Sequence, residues 1–240
     1  NSGRGKAHRG AKQGTPVYLN VTKFLQNRRP DSKFFDHKDI RIGYQRGAAI
    51  DNWRRIIACI IESNSFCSDT INYIVKPDSN LYFVLGLLNS QLFEWRFRLT
   101  STNNHVNSYE VDSLPLRSVN FTTPDKERMQ LLEQAKKLYQ EYLDTQNGDE
   151  VLLFVAERLP TKEDGTPDTE HEQSDVIHDL LAFVAEEMTR LNKEKQFKIK
   201  AFLSWLEKEI LDSSVEDQKN KRRIKDFDNN TFEDLLDVLK

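Results

Sequence analysis

Cysteine is nearly absent from this 240-residue sequence. Cys59 and Cys67 are too few for a disulfide framework and lack the His or Cys neighbours of a zinc cluster. Both read as small buried apolar residues, and their scarcity fits a reducing, cytoplasmic setting. Long apolar runs are missing too. The longest, residues 81–88, falls far short of the roughly 18 residues that cross a bilayer. Residues 1–15 are basic and polar, with no apolar stretch to serve as a signal peptide. Gly3-Arg4-Gly5 lacks both the third glycine and the preceding strand of a nucleotide loop. No nucleophile elbow surrounds Ser101, so Ser101, His105 and Asp112 are a chance co-occurrence and not a triad. His171, Asp175 and His178 have metal-ligand spacing, but His171 precedes the expected Ser174 cap, which breaks the stripe. The acid at 175 reads instead as a helix start favoured by the dipole. No catalytic residue and no metal site is expected, and no cofactor within this chain.

What is present is charge, unevenly spread. Hydrophobic residues make up 38% and charged residues 30%, the composition of a chain with one sizeable core or two small ones and much exposed helix. Residues 1–120 hold 17 Lys and Arg against 10 Asp and Glu, and residues 121–240 hold 18 against 28, so an excess of +7 is followed by one of −10. A polyanion is drawn to the first half and repelled by the second. A basic N-terminal tail can also be no more than a solvated, disordered segment.

The periodicities predict an α+β chain: a mixed α/β module followed by a mostly helical C-terminal region. Residues 1–14 form a flexible basic tail and residues 15–119 the module. Strands are expected over 16–25, 40–45 and 70–75, where β-branched and aromatic residues lie between turn signals. Residues 53–61 have helical spacing, although their β-branched content leaves a strand open. Residues 81–99 carry a stripe of Leu81, Val84, Leu85, Leu88, Leu92, Trp95 and Leu99 that predicts one helix. A helical segment spans 120–159, starting at Thr123-Pro124 and turning at Asn147-Gly148. Residues 160–173 form an acidic linker, with helices at 174–191 and 197–211 and a last one capped by Thr231 and Asp234 filling 174–240.

Two clusters carry recognition chemistry. The first is the polar run 101–107, with Ser101, Thr102, Asn103, Asn104, His105 and Asn107, which follows a helix end bearing Arg96 and Arg98. Asparagine bridges adenine N6 and N7, and guanidinium groups bind phosphate or guanine in a bidentate manner. Asparagines in such a loop also serve simply as turn and cap formers. The second cluster is Arg41, Tyr44, Gln45, Arg46, Arg54 and Arg55, with Arg28, Arg29 and Lys33 as a phosphate-binding loop. Adjacent arginines on a helix diverge by about 100°. One of Arg54 and Arg55 can therefore meet a phosphate while the other pairs with Asp51 or Glu62.

Taken in order, Arg41 and Arg46, Arg54-Arg55, Leu87-Leu88-Asn89-Ser90, the 101–107 run and Leu114-Pro115-Leu116 resemble the target-recognition domain of bacterial adenine-specific DNA methyltransferases. The single-chain restriction–modification enzymes with a TaqI-like specificity domain are the nearest type, and phage-defence methyltransferases look similar at this end. Residues 175–196 and 202–210 resemble the helical tail that often follows such domains, and the likeness covers roughly residues 40–240. It implies a region that reads duplex DNA for a catalytic domain preceding it, with S-adenosylmethionine as the cofactor of the intact parent. The first residue, Asn1, fits a piece of a longer polypeptide. The alternative is a non-enzymatic protein-interaction module whose acidic helices dock a partner subunit.

Overall fold

A computed structural model describes residues 19–239. The expected tail 1–14 and residues 16–18 of the first expected strand lie outside them. The fold is α+β, with a small antiparallel sheet in the first half and helices throughout the second. β1 (Arg41–Gln45) is the central strand, flanked by β2 (Ala58–Ile61) and β3 (Ile71–Val75) in the order β2-β1-β3. Gly43 faces the Ile61 side chain so closely that an added Cβ would lie 2.3 Å from it. Any larger residue at the middle of the central strand would have to displace the Ile61 side chain.

Three expectations change. Residues 21–25 form a short helix, α1 (Val21–Leu25), because the Asn20 side chain accepts from Lys23 N–H and starts a turn before any strand partner is reached. Within 53–61 the strand reading holds over β2 at 58–61 and the helical one does not, and Trp53, apolar and at the start of that spacing, is 90% exposed. The β-branched side chains of Ile60 and Ile61 favour the pleated surface. The single helix expected over 81–99 is two: α2 (Leu81–Leu88) and α3 (Gln91–Arg98). Ser90 accepts from Phe93 N–H and starts α3 afresh. Leu92, Trp95 and Leu99 then face outward while Phe93 and Phe97 enter the core.

α4 (Ser108–Asp112) closes the first half, and α5 (Asp125–Thr145) and α6 (Asp149–Arg158) form a hairpin. The two helices expected at 174–191 and 197–211 are one continuous α7 (Ser174–Leu206), 33 residues long and about 50 Å at 1.5 Å per residue. α8 (Lys221–Lys225) and α9 (Phe232–Leu239) end the chain. α7 serves three apolar clusters in turn. Val176, Ile177 and Leu180 pack with Ala135 and Phe154; Ala182 joins Phe83, Phe97 and Ile42; Leu206 meets Val215, Ile224 and Val238. Gly86 lets α2 approach so closely that an added Cβ would sit 3.3 Å from that of Ala185.

The linker at 160–173 is largely exposed yet pinned. Thr161 and Pro167 bridge, Asp168 N–H donates to the Pro160 carbonyl, and Glu172 pairs with Arg117 at 2.5 Å. Just beyond, buried Asp175 accepts from Thr122 N–H, Thr123 N–H and the Thr123 hydroxyl. Burial pushes the Asp175 carboxyl up, but these donors and Val176 N–H outweigh it and hold it below the usual range. Position 174 therefore starts a helix without starting a separate body. No helix among the described residues is long and apolar enough to cross a membrane.

Candidate nucleic-acid interface

Where β1 ends, the chain leaves the sheet and is at once stitched to the 101–107 loop. Arg46 N–H donates to the Thr70 carbonyl, holding it to β3, and Val106 N–H donates back to the Arg46 carbonyl at 2.8 Å. Gly47 and His105 form a β-bridge, and Ala48 N–H donates to the Asn104 carbonyl. The Asn104 side chain accepts from Ile50 N–H at 3.1 Å. Two loops distant in sequence thus become one ledge at the end of the sheet. Arg46, Thr102, Asn103, Asn104 and His105 are exposed on it, and Gln45 is half-buried at its root.

Beneath the ledge lies a polar hub. Arg55 is 1% exposed, with its Nη2 donating to the carbonyls of Asn103 at 2.6 Å and His105 and to the Ser101 hydroxyl, and its plane over Phe97. Asn107 caps α4 in a reciprocal box with Glu110. Burial raises the Glu110 carboxyl, but Asn107 N–H, the Ser101 hydroxyl, the Asn107 amide and the Arg55 charge outweigh it, leaving it below the usual range. Glu94 on α3 binds the amides of Arg55 and Ile56 and the Arg98 guanidinium. Burial alone would raise its carboxyl too, and these donors hold it down.

Several expected contact residues are therefore committed to the fold. Arg41, 2% exposed, donates to the Ser65 carbonyl and lies over Tyr73, so it cannot reach a phosphate. Arg55 and Ser101 are internal for the reasons above, and Asn107 is a helix cap. Arg54 is half-buried, donating to the Ile56 and Ser90 carbonyls. Neither arginine pairs with Asp51 or Glu62; both satisfy backbone carbonyls instead. Arg98, although exposed, donates to Glu94 and to the Ile50, Asn52 and Trp53 carbonyls. Tyr44 is buried at 3%, and burial raises its phenol against an opposing hydrogen bond from Ser108. Arg96 is half-buried on α3.

Arg28 and Arg29 are exposed, but elsewhere. Arg28 lies 4.4 Å over the Phe34 ring, in a cluster where Phe24 meets Phe66 and Phe66 stacks on His37. Lys33 is exposed beside that cluster, its carbonyl accepting from the Tyr73 hydroxyl, and no hydrogen bond or ion pair among the described residues joins Arg28, Arg29 or Lys33 to the ledge. No protein-family model, curated protein or solved structure matches this chain.

Trp53 is a further candidate, one that its place in an apolar spacing hides. It follows the stitched segment, its carbonyl accepts from Arg98 Nη2, and it is 90% exposed. Among the described residues no His, Cys, Asp and Glu group can hold a metal. Asp175 is spent on Thr122 and Thr123, and the ring of His178 packs between Phe83 and Phe121.

Proposed function

We propose that this chain is the DNA sequence-recognition region of an adenine-N6 DNA methyltransferase or restriction–modification enzyme. The parent's own catalytic domain would supply S-adenosylmethionine chemistry in a cytoplasmic setting. The observation that carries the reading is the ledge itself, which gathers Arg46 and the outward side chains of 102–105 on one rigid edge. Arg46 supplies the phosphate or guanine contact. Asn103 and Asn104 have their side-chain oxygens on His105 N–H and Ile50 N–H, so they present NH2 donors. As donors they suit guanine N7 and O6, thymine O4 or phosphate, and no longer the two-way adenine bridge. The Trp53 ring adds a stacking face for a base moved out of the duplex.

The test is binding to labelled 20-base-pair duplexes across a salt series. Affinity should fall steeply from 50 to 200 mM salt, and Arg46→Ala should reduce the slope of log affinity against log salt by about 1. Asn104→Asp keeps the acceptor for Ile50 but removes the donor, so it should weaken binding while the fold survives. Binding that ignores salt, or that neither substitution changes, removes the reading.

A further inference from the structure

β2 is an edge strand, and Asn89 treats it as though another strand lay beside it. Its side-chain amide accepts from Ala58 N–H at 3.1 Å and donates to the Ala58 carbonyl at 3.0 Å. Those are the two bonds a neighbouring strand would supply. Both Ala58 groups therefore point away from β1, which makes Tyr44 and Ala58 a non-hydrogen-bonded pair. Such pairs alternate along an antiparallel ladder, so Ile42 and Ile60 are the next one. The Ile60 N–H and C=O accordingly point outward too, and no other described residue takes them.

They face a groove of about 910 Å³. β2 forms one wall, the end of α2 the floor, and α7 the other wall through Leu181, Val184, Met188 and Phe197. The helix wall is left bare: Met188 is 50% and Phe197 73% exposed. The charged side chains of the lining are Lys193 and Lys200, with no acid among them. Lys193 is bonded to Glu62, and Lys200 has no carboxylate partner among the described residues.

We propose that this groove takes an extended peptide segment as a fourth strand on β2, with alternate apolar side chains against α7 and a carboxylate for Lys200. An outward N–H and C=O on one residue match a strand's backbone, which the Asn89 amide imitates at Ala58; a docked helix has no such pair to give. The apolar walls select side chains of one face, which in a strand means every second residue. The lysines select an acidic segment over a basic one.

The probe is an eight-residue peptide alternating valine and glutamate, blocked at both ends and titrated into the ¹⁵N-labelled chain. Amide shifts should concentrate at Ile60, Cys59, Met188 and Phe197. Two further peptides are N-methylated at every second residue, one on each edge. The peptide whose blocked edge faces β2 should bind at least tenfold more weakly, and the other should match the parent. Met188→Glu and Lys200→Glu, both at exposed positions, should each weaken binding severalfold. The proposal fails if the parent peptide does not bind at millimolar concentration or if its shifts map elsewhere. It also fails if the two methylated peptides behave alike, or if the groove amides shift with protein concentration alone, which would mark a second copy as the occupant.

Discussion

Glu94 shows how much of the ledge depends on one carboxylate. It takes the amides of Arg55 and Ile56 while fixing Arg98, whose guanidinium gathers three carbonyls of residues 50–53. Glu94→Ala strands both amides and frees Arg98, and should cost about 2–4 kcal/mol in urea unfolding. Glu94→Gln, which keeps an acceptor, should cost about half that. The carboxyls of Glu94, Glu110 and Asp175 are all held below their ordinary values in the fold. Their contribution is complete above the ordinary carboxylate range and is lost as the pH falls through the depressed values. Stability should therefore drop below about pH 4 more gently in Glu94→Gln than in the parent, and equal acid profiles would contradict the assignment. The arginines expose the limit of reading residues singly. Arg41 starts β1 and Arg46 follows its end, five residues on, yet the first finds the Ser65 carbonyl inside the fold and the second finds solvent. Partners so far along the chain leave no local signal.

At the level of elements, the α+β class and the division between a mixed half and a helical half were legible from periodicity. The breaks were not. A seven-residue apolar stripe from Leu81 to Leu99 argued for one helix, but Asn89 turns aside to bond the edge of β2 and Ser90 starts α3. The polar pair was visible, and its meaning depended on a strand thirty residues away. The reverse error joins α7: Asn192 to Lys200 carry too little apolar character to predict continuity, and ion pairs such as Lys198 with Glu194 run along the exposed turns. Where α2 meets α7, Gly86 sets the distance. Gly86→Val should force the helices apart and cost about 1–3 kcal/mol, read as a lowered melting temperature with the sheet's amide pattern intact. An unchanged melting temperature would mean the contact yields freely.

On the scale of the whole molecule, the 160–173 segment is an exposed link in a connected body. Residues 161–167 are exposed, so a protease should cut there first. The pieces should still elute together on gel filtration, since Asp175, Glu172 and the α2–α7 contact hold them. Two separate peaks would show that the first half folds alone.

From residue 191 to residue 201, α7 runs with nearly every side chain in water before Phe202, Leu203 and Leu206 enter the last cluster. That bare stretch works as a geared shaft. Each residue added within it would carry the terminal cluster about 1.5 Å outward and turn it about 100° around the axis. Two extra residues would aim the cluster to nearly the opposite side of the molecule, and seven would bring it almost back into phase. The helix thus sets the compass bearing of the chain's last thirty-odd residues, and its length is counted in angle as much as in distance.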